Sequence, residues 1–460
     1  MVREKEFYRS ILRIALPSAL QSLIGLLVVT ADDVMVSSLD AEKLAMSAVA
    51  QTNAITAFFS SIILGLTSGA SVLIAQYWGK QDTVRIKRVF SIVVALCGAI
   101  SVITVLLVSL FPELLLRVTI SGDKTDMMDV ARAYFVIVCF SYIPYAISTA
   151  LVGMLRSVEV VGITLITSIL SLFTNVTLNW VLIFGKLDFI GIPAMGVRGA
   201  ALATVIARVV ELAVVWHYTF RVQKRLDITP RELRIHEKWL WRDYARYGLP
   251  VGIGDTQWAL IGILKAVIIG RLAQEFIAAN SITNTMMNLG TVFSFALSGG
   301  ACVVVGKAVG SKEYGKARAY SNTIQVMFLC FGVLTAGIVI LLRGPFVALY
   351  GESTPEVSRL AQLMIFVGAL TLIGTTYHAS CFVGINRGAG DGRFVMIVDM
   401  ICGWLIVLPA TLLAAFYFKW PPEIIFLCTR IDQTFKWIIA YFRLRGDKWI
   451  RNVTREAAAA

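Results

Sequence analysis

The sequence predicts an all-α polytopic membrane protein of twelve transmembrane helices, arranged as two homologous six-helix bundles. First, 57% of its 460 residues are hydrophobic and only 15% are charged, a composition more apolar than that of ordinary soluble proteins. Second, apolar runs of the roughly 20 residues that a helix needs to cross a bilayer recur along the whole chain. Third, short sequence patterns of the first half return in the second half in the same order.

The twelve spans are the apolar runs that lie between charged or Gly/Pro-rich segments. One example is "VFSIVVALCGAISVITVLLVSLF", which begins at Val89. The predicted spans are 10–36, 45–78, 89–112, 130–154, 160–184, 197–219, 244–270, 277–306, 322–343, 359–384, 393–418 and 424–442.

The internal repeat is clearest in two segments that lie 231 positions apart. These are "LTSGASVLIAQYWGKQD" from Leu66 and "LSGGACVVVGKAVGSKE" from Leu297. "RIALP" likewise matches "RYGLP", "VGMLRS" matches "VGINRG", and "MVSSLDAEKLAMSAV" matches "IIGRLAQEFIAANSI", all at offsets of 231 to 233. Such ordered matches indicate a duplicated bundle.

The repeat predicts the domain organisation. Residues 1–220 form an N-terminal six-helix lobe, 221–245 a basic cytoplasmic connector, and 246–450 a C-terminal six-helix lobe. Residues 451–460 form a tail whose last alanines look like an addition from cloning. An even number of spans in each lobe gives both the same orientation, so the pseudo-two-fold axis runs along the membrane normal, which suits alternating access.

The net charge of +13 reflects membrane topology and not nucleic-acid binding. When the N-terminus is placed inside, most Lys and Arg residues fall in the inner segments, including the connector "RVQKRLDITPRELRIHEKWLWRDYAR". This asymmetry follows the positive-inside rule and predicts that both termini are cytoplasmic. The first apolar run lacks a small-residue cleavage site, so it reads as a first helix and not as a signal peptide.

No sequence motif supports enzyme chemistry. The chain has no P-loop, dinucleotide-binding fingerprint, HExxH or GxSxG pattern. We therefore expect neither ATP-driven pumping, nor an enzyme, nor a cofactor.

Several stretches resemble the multidrug and toxic compound extrusion (MATE) transporters over nearly the whole chain. They are "LP" at the start of each half, Asp32 before "VMVSSL", "NVTLNWVLIFG" from Asn175, "GVRGAALATVIAR" from Gly196 and "RGDKWIRNVT" from Arg445. The resemblance implies a monomer in a prokaryotic inner membrane that exports small organic, often cationic, compounds in exchange for Na⁺ or H⁺. A family-typical Asn is Val29 here, and "VGxLG" reads "VSSLD", so the coupling ion stays open.

A flippase for a lipid-linked precursor, in the same superfamily, is the alternative function. That class usually carries extra spans and a more strongly basic cavity. In this chain the intramembrane acids are at least as many as the bases, which favours the exporter.

Polar residues inside the spans of the first half are candidates for the coupling-ion site, because such residues are unfavourable in hydrocarbon without a partner or cavity. The resemblance favours Asp32 over the adjacent Asp33, whose side chain points about 100° away. Asn175 and Asn179 share one helix face, and Thr204 lies in the next span. Asp32, Asn175 and Asn179 together offer hard oxygen ligands for Na⁺. In one alternative the buried Asp32 carboxyl carries a proton in place of Na⁺. In another, the two Asn side chains serve only as helix–helix contacts.

The second half carries a different polar set, which we predict to line the substrate or proton pathway. Asp255 and Lys265 are ten residues apart on roughly the same face of one helix. In the internal repeat, Lys265 corresponds to Asp32 of the first half. It is a candidate to neutralise Asp255 or Asp399. Asp432 and Lys436 are spaced i,i+4, so a purely structural ion pair is the alternative for them.

Overall fold

Helices make up the regular structure of this chain. The computed structural model describes residues 2–39, 44–120, 125–185, 193–234, 237–350 and 354–455, and within these ranges there is no strand. Eleven helices there are long and apolar enough to cross a membrane. They are α1 Lys5–Ser37, α2 Leu44–Gly79, α3 Thr83–Leu110, α4 Thr125–Ser157, α5 Gly162–Phe184, α6 Gly196–Val222, α7 Lys238–Ile269, α8 Gln274–Gly310, α9 Tyr314–Ala348, α10 Pro355–Asn386 and α11 Gly392–Tyr417. The all-α polytopic fold class is confirmed.

The twelfth predicted span, 424–442, is not one continuous helix. It consists of α12 (Pro422–Cys428), a 3₁₀ turn (Ile431–Thr434) and α13 (Lys436–Arg445). The break falls in the polar sequence "TRIDQTFK". Irregular backbone at membrane depth is tolerated where it is buried in protein or lines a cavity, and this segment borders the cavity described below.

The chain forms two compact units. The first, here the C-terminal unit, comprises Met1–Ala19, Ser71–Asp82 and Asp243–Ala460. The second, the N-terminal unit, comprises Leu20–Ala70 and Thr83–Arg242. The division at 221–245 that the repeat suggests stays a prediction, and the final alanines lie outside the described residues.

Alanine, aliphatic residues and aromatic rings such as Phe135 and Phe328 fill the interiors, while many large aliphatic side chains such as Leu107, Leu341 and Leu405 are exposed. In the N-terminal unit, buried alanines such as Ala146 and Ala203 let the helices approach closely. Lipid is as apolar as leucine, so close packing, and not expulsion of apolar surface from water, stabilises such helix contacts.

Two glycine contacts preserve the duplication in three dimensions. In the N-terminal unit, a side chain at Gly153 on α4 would collide with the Thr67 methyl group on α2. In the C-terminal unit, a Cβ at Gly384 on α10 would lie 3.1 Å from Ala301 and 3.4 Å from the Ser298 carbonyl oxygen on α8. Gly384 lies 231 positions after Gly153, and Ser298 lies 231 positions after Thr67. The repeat therefore encodes the same close helix pairing in each half.

The two repeated segments quoted above also end in glycine contacts, both within the C-terminal unit. A side chain at Gly79 would collide with the Lys307 backbone, and one at Gly310 with the Gln76 backbone. The same offset of 231 relates Gly79 to Gly310 and Gln76 to Lys307. Gln76 also accepts a 2.8 Å hydrogen bond from the Val453 amide and so holds the C-terminal segment.

Candidate functional site

The N-terminal unit brings together three of its four predicted residues. Asp32 lies in the second half of α1, and Asn175 and Asn179 lie one turn apart on α5. The Asn179 amide donates a hydrogen bond to the Asp32 carboxylate, and its nitrogen lies 3.3 Å from the Asn175 side-chain oxygen. Both Asn side chains are buried. The three residues form one polar cluster, here the Asp32 cluster.

The Asp32 cluster contains an unsatisfied oxygen. Asn179 Oδ1 is buried and has no hydrogen-bond partner among the described residues. Leaving a buried acceptor unpaired costs about 1–3 kcal/mol, so this oxygen is suited to a ligand that the protein itself does not supply. The described part of the chain holds no group of three or more His, Cys, Asp or Glu residues that could bind a metal ion. A cation here would therefore rely on amide oxygens as well as the Asp32 carboxylate.

Helix α6 is held against α5 by a small residue. A Cβ at Gly199 would lie 2.7 Å from the Leu182 carbonyl oxygen, so the two backbones are in contact. Thr204, the fourth predicted residue, lies further along α6 and donates a 3.1 Å hydrogen bond to the Ala200 carbonyl. That bond uses the hydroxyl proton and leaves the oxygen able to accept.

Tyr134 is a site residue that the sequence did not reveal. It is buried on α4, near the Thr204 hydroxyl and within electrostatic range of Asp32. Its position thus connects the Thr204 hydroxyl with the Asp32 cluster. A tyrosine in an apolar run carries no sequence signal of such a role.

A cation also acts on the Asp32 cluster. Arg208 on α6 forms the ion pair with Glu211 that their i,i+3 spacing allows, at 2.7 Å, and its guanidinium lies over the Tyr145 ring. Arg208 also attracts Asp32, whereas Asp33 repels it. The charge state of Asp32 is therefore coupled to the ion pair between Arg208 and Glu211.

The C-terminal unit contains a cavity of about 440 Å³. Helices α7, α8, α10 and α11 and the broken twelfth span contribute its lining. Four of the five predicted residues line it, namely Asp255, Lys265, Asp399 and Lys436. Asp432 is fully buried beside Lys436. The structure thus brings the whole predicted set to one region.

Lys436 joins two carboxylates. Its ammonium group lies 2.8 Å from Asp432 and 2.8 Å from Asp399. The i,i+4 ion pair that the sequence suggested is confirmed, and Asp399, which had no local partner in sequence, is part of it. Because Lys436 is almost completely buried, the second carboxylate offsets the cost of removing its charge from water.

Asp255 pairs with Arg387, a residue that was not among the predicted ones. Two guanidinium nitrogens of Arg387 donate to the Asp255 carboxylate at 2.6 and 3.1 Å, in a bidentate arrangement. The possibility that Lys265 neutralises Asp255 or Asp399 is therefore wrong. Arg387 follows a π-helical turn at Ser380–Asn386, a local widening that often occurs at functional positions. The recurrence of "VGMLRS" as "VGINRG" could have indicated it.

Lys265 and Arg430 line the same cavity, but neither is paired with a carboxylate among the described residues. The Lys265 ammonium lies 3.4 Å from the Thr429 carbonyl oxygen and over the Trp258 ring. Arg430 lies over the Phe426 ring. Neither cation forms an ion pair with any residue in the described ranges. Arg430 was not predicted, because the last span was expected to be one continuous helix.

Comparisons of this chain with a family model and with known proteins agree on one family. The family model MatE matches two segments of the chain, residues 17–181 and 252–429. The chain is 24% identical over 424 residues to the probable multidrug resistance protein NorM of Thermotoga maritima, covering 90% of this chain and 87% of that protein. It is 26% identical over 247 residues to the multidrug resistance protein MdtK of Photorhabdus laumondii, covering 54% and 53%.

Solved structures show the same fold. One described as an outward-facing conformation of a multidrug resistance MATE family transporter of the MOP superfamily superposes with a TM-score of 0.84. The superposition covers 97% of this chain and 96% of that chain, at 18% identity.

Proposed function

The chain belongs to the MatE family, and from that premise we propose that it is a secondary active efflux transporter. It exports small organic cationic or amphiphilic compounds in exchange for Na⁺ or H⁺ by alternating access. The names of its relatives, which describe multidrug resistance proteins, support this assignment. We further propose that it acts as a monomer in a prokaryotic inner membrane, with both termini cytoplasmic.

The observation that carries the proposal is the Asp32 cluster. A carboxylate at membrane depth is unfavourable unless it is paired or neutralised, and this one is held by the amide of Asn179. Binding of Na⁺ or H⁺ would remove the net charge and so change its attraction to Arg208. That change in electrostatic energy is the means by which an ion gradient biases the N-terminal unit.

The unsatisfied Asn179 oxygen suits either coupling ion. If the amide group rotates by half a turn, Oδ1 faces Asp32 in place of Nδ2. Two facing oxygens repel unless a cation lies between them or Asp32 carries a proton that it donates to Oδ1. With Asn175 beside them, Asp32, Asn175 and Asn179 would offer Na⁺ three oxygen ligands, and the Tyr134 hydroxyl or a water molecule bound by Thr204 would offer a fourth.

We assign the cavity of the C-terminal unit to the substrate pathway. Its polar residues Asp255, Lys265, Asp399 and Lys436, with Asp432 behind them, provide hydrogen-bonding and charged groups. Its aromatic residues, such as Trp258, provide apolar surface. Ligand sites combine these two features, an apolar lining and a few placed polar groups.

A second candidate function is supported by one observation. Four cationic side chains line the cavity, against two carboxylates. A flippase for a lipid-linked precursor would need such a lining to hold phosphate groups.

The decisive experiment is efflux of ethidium from liposomes that contain the purified protein, under an imposed Na⁺ gradient and, separately, an imposed pH gradient. Transport under one gradient supports the exporter and identifies the coupling ion. Transport under neither, by protein shown to be folded, contradicts the exporter and favours the flippase. Liposomes without protein serve as the control.

A further inference from the structure

We propose that the cavity of the C-terminal unit binds the anionic group of an aromatic amphiphile, a carboxylate, sulfonate or phosphate, between Lys265 and Arg430. The proposal rests on the proposed function only in making this ligand a transported substrate. The site itself follows from the charges and contacts of the cavity.

The cations of the cavity fall into two classes. Arg387 is neutralised by Asp255, at 2.6 Å, and Lys436 by Asp399 and Asp432, at 2.8 Å each. These three acids are thereby occupied. The ion pairs account for all the carboxylates that line the cavity or lie directly behind it among the described residues.

Lys265 and Arg430 form the second class. Both are only partly buried, both line the cavity, and neither has a carboxylate within ion-pair distance in the part of the chain that the structure describes. The Lys265 ammonium contacts the carbonyl of Thr429, the residue next to Arg430. Arg430 and Lys436 both repel Lys265, while Asp432, which is already paired with Lys436, attracts it. Intramembrane cations without a carboxylate partner mark binding sites for charged ligands, and an anion placed here would relieve the repulsion.

The backbone supports the same interpretation. The helix of the last span ends at Cys428, just before Arg430, and a 3₁₀ turn follows. The Arg430 side chain and this turn therefore border the cavity. Discontinuous membrane helices recur at the substrate sites of transporters, where their ends and side chains bind charged groups. A guanidinium also presents two parallel donors that match a carboxylate or sulfonate.

The rest of the cavity suits an aromatic ring with neutral polar substituents. Trp258 lies against Lys265 and Lys436, and Phe295 and Phe382 add two further rings. A row of asparagines at 280, 284 and 288 on α8, each four residues apart, offers amide donors and acceptors. No hydrogen bond joins these amides to other described side chains, so they can bind a ligand.

The test is isothermal titration of the full-length purified protein with naphthalene-1-sulfonate and with neutral 1-naphthalenemethanol, which shares the ring but lacks the charge. We expect the sulfonate to bind at least about tenfold more tightly, because hydrogen bonds to charged groups contribute more than neutral ones. Lys265→Met and Arg430→Met should each weaken sulfonate binding about tenfold. Neither should change the affinity for the alcohol.

Three controls separate charge from folding. Lys265→Arg keeps the charge and should retain sulfonate affinity within about twofold. Arg359→Met removes an exposed cation of the same unit, outside the cavity lining, and should have no effect. Size-exclusion profile and helical circular dichroism confirm that each variant is folded.

Several outcomes decide the proposal. Equal affinity for sulfonate and alcohol, or full sulfonate affinity in a folded Lys265→Met/Arg430→Met double variant, overturns it. Dihexanoylphosphatidylglycerol that binds with the same dependence on both cations supports the anion site and identifies a lipid headgroup as the source. Because the titration needs no gradient, protein that binds sulfonate but exports no ethidium contradicts the proposed function alone. Protein that exports ethidium but binds no sulfonate contradicts this inference alone.

Discussion

The two polar sites of this protein stand at corresponding places in the repeat but have opposite chemistry. Asp32 in the N-terminal unit and Lys265 in the C-terminal unit are related by an offset of 233. The acid is surrounded by buried amides, whereas the base shares its cavity with Arg430. In contrast, the glycine contacts at Gly153 and Gly384 are the same in kind. Duplication has kept the helix packing and allowed the polar residues to diverge, because a clash at a close contact destabilises the fold while a cavity residue can change without one.

The largest expected effect tests whether Asp32, and no acid of the second half, carries the ion coupling. We expect Asp32→Asn to lower ion-driven ethidium efflux at least about 100-fold, since it removes the only charge in the Asp32 cluster that an ion can neutralise. Efflux from proteoliposomes under the coupling gradient is the measurement. The matched control is Asp33→Asn, which removes the adjacent carboxylate. Asp33 is partly buried like Asp32 but is not the acceptor of the Asn179 hydrogen bond, so this variant should retain most of the rate.

Sulfonate binding to the second half should be unchanged in Asp32→Asn. Efflux by Asp32→Asn at the wild-type rate under the same gradient would show that the first half does not carry the coupling. The assignment of roles to the two units would then have to be reversed.

An intermediate effect concerns the ion pair between Arg387 and Asp255 in the second half. Arg387→Met leaves Asp255 partly buried without its partner, and we expect the free energy of unfolding to fall by about 2 kcal/mol. This is below the value for a fully buried pair, because 29% of the Asp255 side chain is exposed. Unfolding in mixed micelles with increasing SDS measures the change.

The double variant Arg387→Met/Asp255→Asn tests the cause of that loss. Removing the unpaired charge should restore at least half of the lost stability, as a double-mutant cycle requires for an interacting pair. A double variant as unstable as Arg387→Met alone would show that lost packing of the arginine, and not the unpaired carboxylate, is responsible.

The smallest effect tests the contact that both halves share. Gly153→Ala should destabilise by about 1 kcal/mol, because the cost of overpacking against the Thr67 methyl exceeds the gain in helix propensity. Thr67→Ser in the same chain removes that methyl and introduces the residue type that the second half has at Ser298. It should restore most of the loss, again measured by unfolding in mixed micelles.

Gly384→Ala is the comparison variant for this contact. Its Cβ would meet Ala301 at 3.1 Å, a much milder approach, so we expect almost no change in stability. A loss equal to that of Gly153→Ala would mean that the two contacts are equally tight.

The sequence predicted the helices well where the signal is local. Eleven of the twelve spans are found close to their predicted limits, for example Leu44–Gly79 for 45–78, because a long apolar run is sufficient to specify a membrane helix. The prediction of a continuous twelfth helix was wrong because "TRIDQTFK" has enough apolar neighbours to resemble a span, yet its Lys436 also pairs with Asp399, 37 residues away. Spacing found the pairing of Asp432 with Lys436, which lies within one turn.

The sequence by itself determined the class of protein, the duplication and the residues whose burial in a membrane needs an explanation. Those properties depend on composition, periodicity and internal matches, all of which can be read along the chain. Only the tertiary structure decided that Asn179 contacts Asp32, that Arg387 and not Lys265 neutralises Asp255, and that Arg430 faces the same cavity as Lys265. These contacts join helices distant in sequence, and their partners are chosen by which helix faces meet in the folded bundle.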